Sequence, residues 1–599
     1  MHNKDYIRVL SVDLGSQRIK VEKRHDLVPY IGGVGVSAKL LEEYMHEELP
    51  PLDPAQPIIL SIGAISTIFP VVTKTAAMFI SPLTGEMGES YAGGRLAFSL
   101  LHCGIDALVI YGKSEKPIYL SINSSDINFR DARAIWRMDC DRTGDYIRDM
   151  EGGGGKRSII RIGPAGENLC SYAMVNVDSY RHFGRLGLGA VFGSKNLKAI
   201  QVSGESTLPA YDFPQYFKTF RDVFKKVNDT GVMKKYHDAG TSVNIEPLNI
   251  GGGLPTHNLQ TASFAGAANI TGEEFANHNL IRKVACVGCP IGCIHIGQFR
   301  REFDHGYEYE AVSVSYDYEL IFALGSFLGI DSREGILELI QCVEGEGLDA
   351  MSTGVCLGWA TEALARGEIS EKETIVPLKF GNVVNYVRAV EYISKRENDF
   401  YRALGDGVRA AAEKYGGYDY AMQIAGNEIA GYHTGYGAVI GALMGARHSH
   451  LCNGGYSTDQ TMKDFTPDKM ADKLYAEEVE RNLLNSLTIC LFARRVYDRE
   501  TIRQCLACVG REYNDDELTR AATEIYRTKL NIKKRLGFDP REVRLPQRLF
   551  ETETMTGKIN GETASQIRDI FIEKNMNLLA SAPAPDPVSV LGHLQHRMH

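Results

Sequence analysis

CVGCPIGC, residues 286–293, places three cysteines within eight residues, spaced by two and then by three. A closed metal site needs four ligands, so this stretch is either an ordinary tight turn or three-quarters of a site completed elsewhere. Three chemistries compete for it. A buried cysteine-rich turn needs no metal. A zinc site could take His295 as its fourth ligand, although structural zinc sites usually show two paired ligand groups. An iron–sulfur cluster takes four thiolates, because soft sulfur matches iron. Gly288 and Gly292 let the chain turn between ligands and free N–H groups for cluster sulfurs. Cys505 and Cys508 together would make five ligands, one too many. Cys490, after the helical run containing Leu483, Leu484 and Leu487, is the other candidate. Spacing alone does not choose between them.

The rest of the chain bounds the setting. Its 599 residues are 24% charged, which suits a globular protein of several domains. A net charge of −9 provides no basic footprint for nucleic acid. The opening MHNKDYIRVLSVDL has no apolar run long enough for a signal peptide. Stretches such as Ala107–Tyr111 fall far short of the ~20 residues of a membrane span. Twelve cysteines are few for a disulfide scaffold, and in a reducing, cytoplasmic setting their crowding in one loop favours metal.

Strand signals dominate the first 200 residues or so: Ile7–Leu14, ALVIYG (107–112) and IYLSI (118–122), amid dense glycine. Helical patterns follow. Tyr211–Tyr236 is charged and helical. A helix capped by Asp331 or Ser332 places Ile336, Leu339, Ile340 and Val343 on one face, with Gly345 and Gly347 ending it. Leu474–Phe492 reads as helical. GGVGVSAK lacks the full G-x-G-x-x-G spacing of a dinucleotide fingerprint. The expected fold class is α+β and multidomain: a β-rich domain over 1–208, mainly helical domains over 209–410 and 411–580, and a flexible tail over 581–599.

GGVGVSAKLL (32–41), SPLTGEMGESYAGG (81–94), RLGLGAVFGSKNLKAI (185–200), CVGCPIGC (286–293), YEYEAV (307–312), FLGIDSREG (327–335), EGEGLDAMSTG (344–354), GARHSH (445–450) and NSLTIC (485–490) occur in this order. Together they resemble the tungsten-dependent aldehyde:ferredoxin oxidoreductase family over nearly the whole chain before the tail. The resemblance implies that Cys490 joins Cys286, Cys289 and Cys293 around one 4Fe–4S cluster, leaving Cys505 and Cys508 as bystanders. It implies a tungsten, or molybdenum, bis-pyranopterin with no protein ligand to the metal.

The family's first pterin motif, Asp-x-x-Gly-Leu-Asp, matches Glu344, Gly347, Leu348 and Asp349. The second matches Asn485, Thr488, Ile489 and Cys490, with Asn for Asp and Thr-Ile for Gly-Leu. Carbonyls matching Tyr91 and Leu186 would hold a Mg2+ bridging the pterin phosphates. Arg185 and Lys74 match phosphate-contacting positions, Lys74 without the bidentate fork of arginine. Gly93 and Gly187 belong to the glycine-rich segments that can bring backbone N–H groups close to anionic oxygens.

By the same resemblance the catalytic glutamate is Glu310 with Tyr309 beside it, and the catalytic histidine is His448, with His450 as the alternative. Glu338-Leu-Ile-Gln341 stands where some members carry the Glu-x-x-His of an interfacial iron, which is therefore not expected here. The implied activity is oxidation of aldehydes to acids, with electrons leaving to ferredoxin or to a dedicated iron–sulfur subunit; GARHSHLCNGGYS and NSLTICLFARR resemble the bacterial multi-subunit branch, which favours the dedicated subunit. A flavin or nicotinamide module and an oligomer would fit that branch. The alternative is a subunit reducing the ring of an aromatic acyl-coenzyme A, which calls for a coenzyme A channel and an extra cysteine at the metal.

Overall fold

The computed structural model describes residues 5–207, 212–304, 306 and 308–581. The tail expected from 581 onward lies, beyond Ser581, outside the described residues.

The β-rich part contains two six-stranded sheets. The first runs in the order Arg18–Arg24, Ile7–Asp13, Ala107–Tyr111, Ile58–Ser61, Thr75–Ile80, Met87–Ala92. The second runs Arg181–Phe183, Val175–Val177, Arg157–Arg161, Leu197–Ser203, Ile118–Ile122, Ile127–Asp131. Each sheet is antiparallel except for one parallel pair: Ile7–Asp13 with Ala107–Tyr111, and Leu197–Ser203 with Ile118–Ile122. Leu10, Leu60 and Leu108 of the first sheet share one buried core with Leu120, Ile160 and Ile200 of the second. Apolar residues on both inner faces explain why the sheets stack.

The remainder is mainly helical, with one three-stranded meander, Leu280–Val284, Ile294–Asp304 and Glu308–Tyr316. The helix foreseen after Asp331 or Ser332 runs Arg333–Glu346, and Ser332 caps it by accepting from the Gly335 N–H. Gly345 lies inside it. Gly347 ends it in the left-handed conformation at φ 79°, as a side-chain-free residue does at low cost. The segment expected to be helical over 211–236, whose first residue lies outside the described ones, divides at Thr230 into helices Phe213–Asp229 and Gly231–Ala239, because the Thr230 hydroxyl caps the second. The late helix covers Pro467–Ser486 and stops short of Cys490. Among the described residues no helix is long and apolar enough to cross a membrane.

Glycines allow the two parts to approach. A Cβ on Gly163 would stand 2.5 Å from the Glu346 carbonyl oxygen, and one on Gly63 2.4 Å from that of Leu487. Gly187 has φ 85°, and a Cβ there would meet the Ser171 carbonyl oxygen at 2.0 Å. Gly187→Ala should therefore cost about 1–3 kcal/mol through overpacking and backbone strain, read as a lower urea midpoint than wild type.

Candidate functional site

One cavity of about 330 Å3 lies between the β-rich part and the helices. Its wall carries Val71, Lys74, Tyr91, Gly93, Arg181 and Arg185 from one side and Asp317, Glu319, Glu344, Asp349, His450 and Asn485 from the other. Cys286, Cys289, Cys293 and Cys490 all line it. Their separation in sequence is closed by backbone contacts: the Cys490 N–H donates to the Val71 carbonyl at 3.1 Å, and the Val71 N–H to that of Gly288 at 3.1 Å.

The thiols stand within electrostatic range of one another. Burial pushes Cys289 up to about 12 and Cys293 up to about 11, with the neighbouring thiols adding to both. Cys286 is held below the usual thiol value: burial opposes ionisation, but Arg181 and Lys74 outweigh it. Among the described residues no three His, Cys, Asp or Glu side chains converge where a single ion could sit. His295 is fully buried, its Nε2 3.0 Å from the His237 carbonyl oxygen, and it is not part of the cavity wall. Cys505 and Cys508 are buried on another face, where the Cys508 thiol donates to Thr219. Gly93 is needed beside the loop, since a Cβ there would lie 2.6 Å from the Cys286 sulfur.

The residues matched to the pterin motifs converge on the same wall. Lys74, Tyr91, Gly93, Arg185, Glu344, Leu348, Asp349, Asn485, Thr488 and Ile489 line it. Leu186, Gly187 and Gly347 shape the backbone behind it: Leu186 has φ 72°, and its carbonyl accepts from the Ser81 hydroxyl at 2.8 Å. Asp349 caps the helix Ala350–Arg366 and accepts from Arg185 Nε at 3.1 Å. Thr488 takes φ 58°, the hand that Gly347 takes in the first motif, and its hydroxyl meets that of Ser66 at 2.5 Å.

Buried polar atoms on this side lack protein partners: Arg181 Nε, Arg185 Nη1, Arg447 Nε and His182 Nε2. Unpaired buried donors are costly, so an anionic ligand rich in acceptors fits them. Glu344 is pushed well above the usual carboxyl range by burial, with Asp141 and Asp317 adding. His182 is pushed down to about 3 by burial and by Arg181. These two groups stand 3.6 Å apart, and burial disfavours the charged form of each; a protonated carboxyl can donate as well as accept.

The residues expected to act as acid and base do not all reach this cavity. Glu310 lies on the meander, where its carboxylate pairs with Arg301, which also donates to Gln341. Its side chain is 43% exposed. Tyr309 is 42% exposed beneath the Arg300 guanidinium. Neither lines the cavity. The hairpin carries them past the core, and a match in residue type could not report that. His448 also turns away. It is buried against Glu86 at 3.1 Å and Lys533 at 3.3 Å, and φ 53° at His448 sends the chain round. Of the two, it is His450 that lines the cavity.

Its partner is Glu319, which the sequence reading missed. His450 Nε2 stands 3.2 Å from Glu319 Oε1, and the Tyr432 hydroxyl donates to the same oxygen at 2.7 Å. The signal was present: Asp317-Tyr318-Glu319, just past the end of the same strand, repeats the acidic–aromatic–acidic pattern of Glu308-Tyr309-Glu310 at its start. Burial works against ionisation of Glu319, yet the bond and charge of His450 and the Tyr432 hydroxyl hold it below the usual range. Asp317 goes the other way, to about 6, through burial and the charge of Glu319. Two neighbouring carboxyls driven apart in this way suit proton donation and acceptance.

Profiles of the aldehyde ferredoxin oxidoreductase family match the chain twice, the N-terminal domain over residues 9–204 and domains 2 and 3 over 218–575. A tungsten-containing aldehyde ferredoxin oxidoreductase of Pyrococcus furiosus is 32% identical over 93% of each chain. That of Thermococcus kodakarensis is 30% identical over 92% of this chain and 93% of its own. An aliphatic sulfonate oxidoreductase, WOR-like subunit, of Pyrococcus furiosus is 28% identical over 68% of this chain and 67% of its own. The solved active-site complex BamBC of benzoyl coenzyme A reductase with 1,5-dienoyl-CoA superposes with a TM-score of 0.80 at 19% identity, covering 95% and 94% of the two chains; at that identity it speaks for the fold. The chain belongs to the aldehyde ferredoxin oxidoreductase family, whose members are oxidoreductases.

Asp317 permits a stability test. The unfolded carboxyl titrates near 3.8 and the folded one near 6, so the folded chain holds the extra proton and stability falls as pH rises across that interval. Asp317→Asn keeps an acceptor for the Leu320 N–H that Asp317 caps and removes the loss. Cofactor-free variant should resist urea better than wild type above about pH 6, by on the order of 2 kcal/mol, and match it below about pH 4.

Proposed function

We propose that this member of the family is a tungsten bis-pyranopterin oxidoreductase that oxidises aldehydes to carboxylic acids and passes the electrons through one 4Fe–4S cluster. The observation that carries the reading is that a single cavity gathers the four matched cysteines, the unpaired cations and the His450–Glu319 pair. The names of the Pyrococcus and Thermococcus relatives support tungsten over molybdenum. Cys286, Cys289, Cys293 and Cys490 would hold the cluster. Arg185, Lys74, Arg181 and the two motif turns would hold the pterins, and the carbonyls of Tyr91 and Leu186 a Mg2+. When bound, these groups supply two-electron chemistry at the substrate carbon and one-electron transfer away from it.

The chain's own residues manage water and protons. Oxidising an aldehyde to its acid consumes one water and releases two protons with two electrons. The ionised Glu319 is acceptor-only, so His450 donates its Nε2–H to it. Both recorded contacts to Glu319 fall on Oε1, which leaves Oε2 to take a proton from the attacking water. Asp317, raised to about 6 by burial and by Glu319, is the second station for a proton. Burial lowers His450 below the usual imidazole value, against the opposing pull of Glu319. Tyr432 keeps Glu319 oriented.

Electrons would leave to ferredoxin or to a dedicated iron–sulfur subunit; the relative named as a subunit supports assembly with partners. The ring-reducing alternative calls for a further cysteine at the metal. Among the described residues the cysteines lining the cavity are those assigned to the cluster, which favours the aldehyde reading. Cysteine usage also suits work in a reducing cell interior.

Elemental analysis of anaerobically purified protein should give about one W, about four Fe and about one Mg per chain. Zinc without tungsten or molybdenum would overturn both cofactor assignments. Glu319→Gln should lower kcat with an aldehyde and a viologen dye by ~10²–10⁴ at unchanged tungsten content, whereas Glu310→Gln should leave turnover as in wild type. The reverse pattern would return the base role to Glu310.

A further inference from the structure

We infer that the outward face of helices Phe213–Asp229 and Gly231–Ala239 is the docking surface for an acidic iron–sulfur electron carrier. The inference rests on the electron-exit reading above and adds the place and chemistry of the contact.

Helix Phe213–Asp229 buries Thr219, Val223 and Val227. Beside that face runs a second apolar stripe. Phe213, Phe217, Phe220 and Phe224 recur at helical spacing and so lie above one another. Phe213 and Phe217 stack at 6.2 Å, and Phe220 and Phe224 at 6.1 Å. Phe213, Phe217 and Phe224 are 45%, 57% and 43% exposed. A contiguous exposed aromatic stripe marks an interaction surface, where a lone exposed residue would not.

The stripe has a basic border. Lys218, Arg221 and Lys225 fall next to it around the helix, and Lys234 and Lys235 follow on the second helix. Residues 213–239 contain six Lys and Arg against three Asp, in a chain of net charge −9. An aromatic centre with a positive rim complements a partner with an acidic rim, and such charges steer encounter.

The surface adjoins the cysteines. The Tyr216 hydroxyl donates to the Ile68 carbonyl at 3.0 Å, and its ring packs edge-on against Phe69 at 5.5 Å. Val71, in the same segment, bonds the Gly288 carbonyl. From the second helix, His237 Nδ1 donates to the Ile291 carbonyl at 2.6 Å, and Tyr236 stacks on Phe492 at 4.3 Å. The two helices therefore brace both the CVGCPIGC loop and the turn after Cys490, while Gly288 reaches the surface. Electron transfer weakens steeply with distance, so a carrier has to seat close to this loop.

The test uses holoenzyme and, as probe, a purified acidic ferredoxin carrying two 4Fe–4S clusters. Direct binding is measured for wild type, for Phe217→Ser with Phe224→Ser, and for Lys225→Glu with Lys235→Glu. Each pair should weaken ferredoxin binding roughly tenfold or more, and the charge pair should lose its effect near 0.5 M salt, about where screening becomes short-ranged. Aldehyde oxidation with a small viologen dye should stay unchanged in both, because the cavity is untouched. Ferredoxin that fails to bind wild type, or binds all three alike, would overturn the inference. So would a phenylalanine pair that alters only self-association in sedimentation, since a second copy would then be the occupant. Wild type that binds ferredoxin but oxidises no aldehyde with the dye would sink the functional reading and leave the docking surface standing.

Discussion

The ion pair between Arg185 and Asp349 joins the two parts of this protein, and the site is organised around it. Arg185 comes from the turn between the second sheet and a short buried helix. Asp349 comes from the corner between two helices of the other part. Their side chains are 8% and 4% exposed, so neither could be left alone cheaply; breaking such a pair typically costs about 3–5 kcal/mol. Arg185 spends its remaining donors differently. Nη2 reaches the Glu428 carbonyl at 2.7 Å, and Nη1 is left buried without a hydrogen-bond partner. The same cation thus ties the parts together and presents charge to a ligand.

Backbone approach reinforces that tie at both motif turns. Gly163 presses on the carbonyl of Glu346, next to Gly347. Gly33 and Gly63 press on the carbonyls of Asn485 and Leu487. Any side chain at these glycines would push the turns away from the β-rich part. The turns would then no longer deliver Leu348, Asp349, Thr488 and Ile489 to the wall. Glycine in these segments therefore does two jobs: it allows chain reversal, as at Gly347, and it brings polypeptide from distant parts of the chain into contact. Cys490 reaches the loop cysteines through the second of these turns.

Charge is distributed unevenly across the cavity. Arg181 acts both on the Cys286 thiol and on Asp317. Glu319 takes its stabilisation from His450 and the Tyr432 hydroxyl rather than from an arginine. Burial alone would neutralise every one of these groups, and the specific partners decide which remain charged.

Strand and helix patterns, the glycine-rich turns and the cysteine loop could be read from the order of residues, because each depends on local conformation or on spacing of a few residues. The likeness of the ordered motifs likewise brought the family and the second turn with Cys490 into view. Direction was a different matter. Glu310 and Glu319 stand in near-identical acidic–aromatic–acidic triplets, and His448 and His450 are separated by one residue. Residue type and spacing could not say which of each pair faces inward. That was decided by how far the meander extends past the core, where Glu310 pairs with Arg301, and by the left-handed turn at His448, which packs against Glu86 from a segment hundreds of residues away. The sequence by itself determined which chemistry this chain can hold; the tertiary structure decided which side chains share the cavity, because a side chain's facing depends on what its backbone packs against.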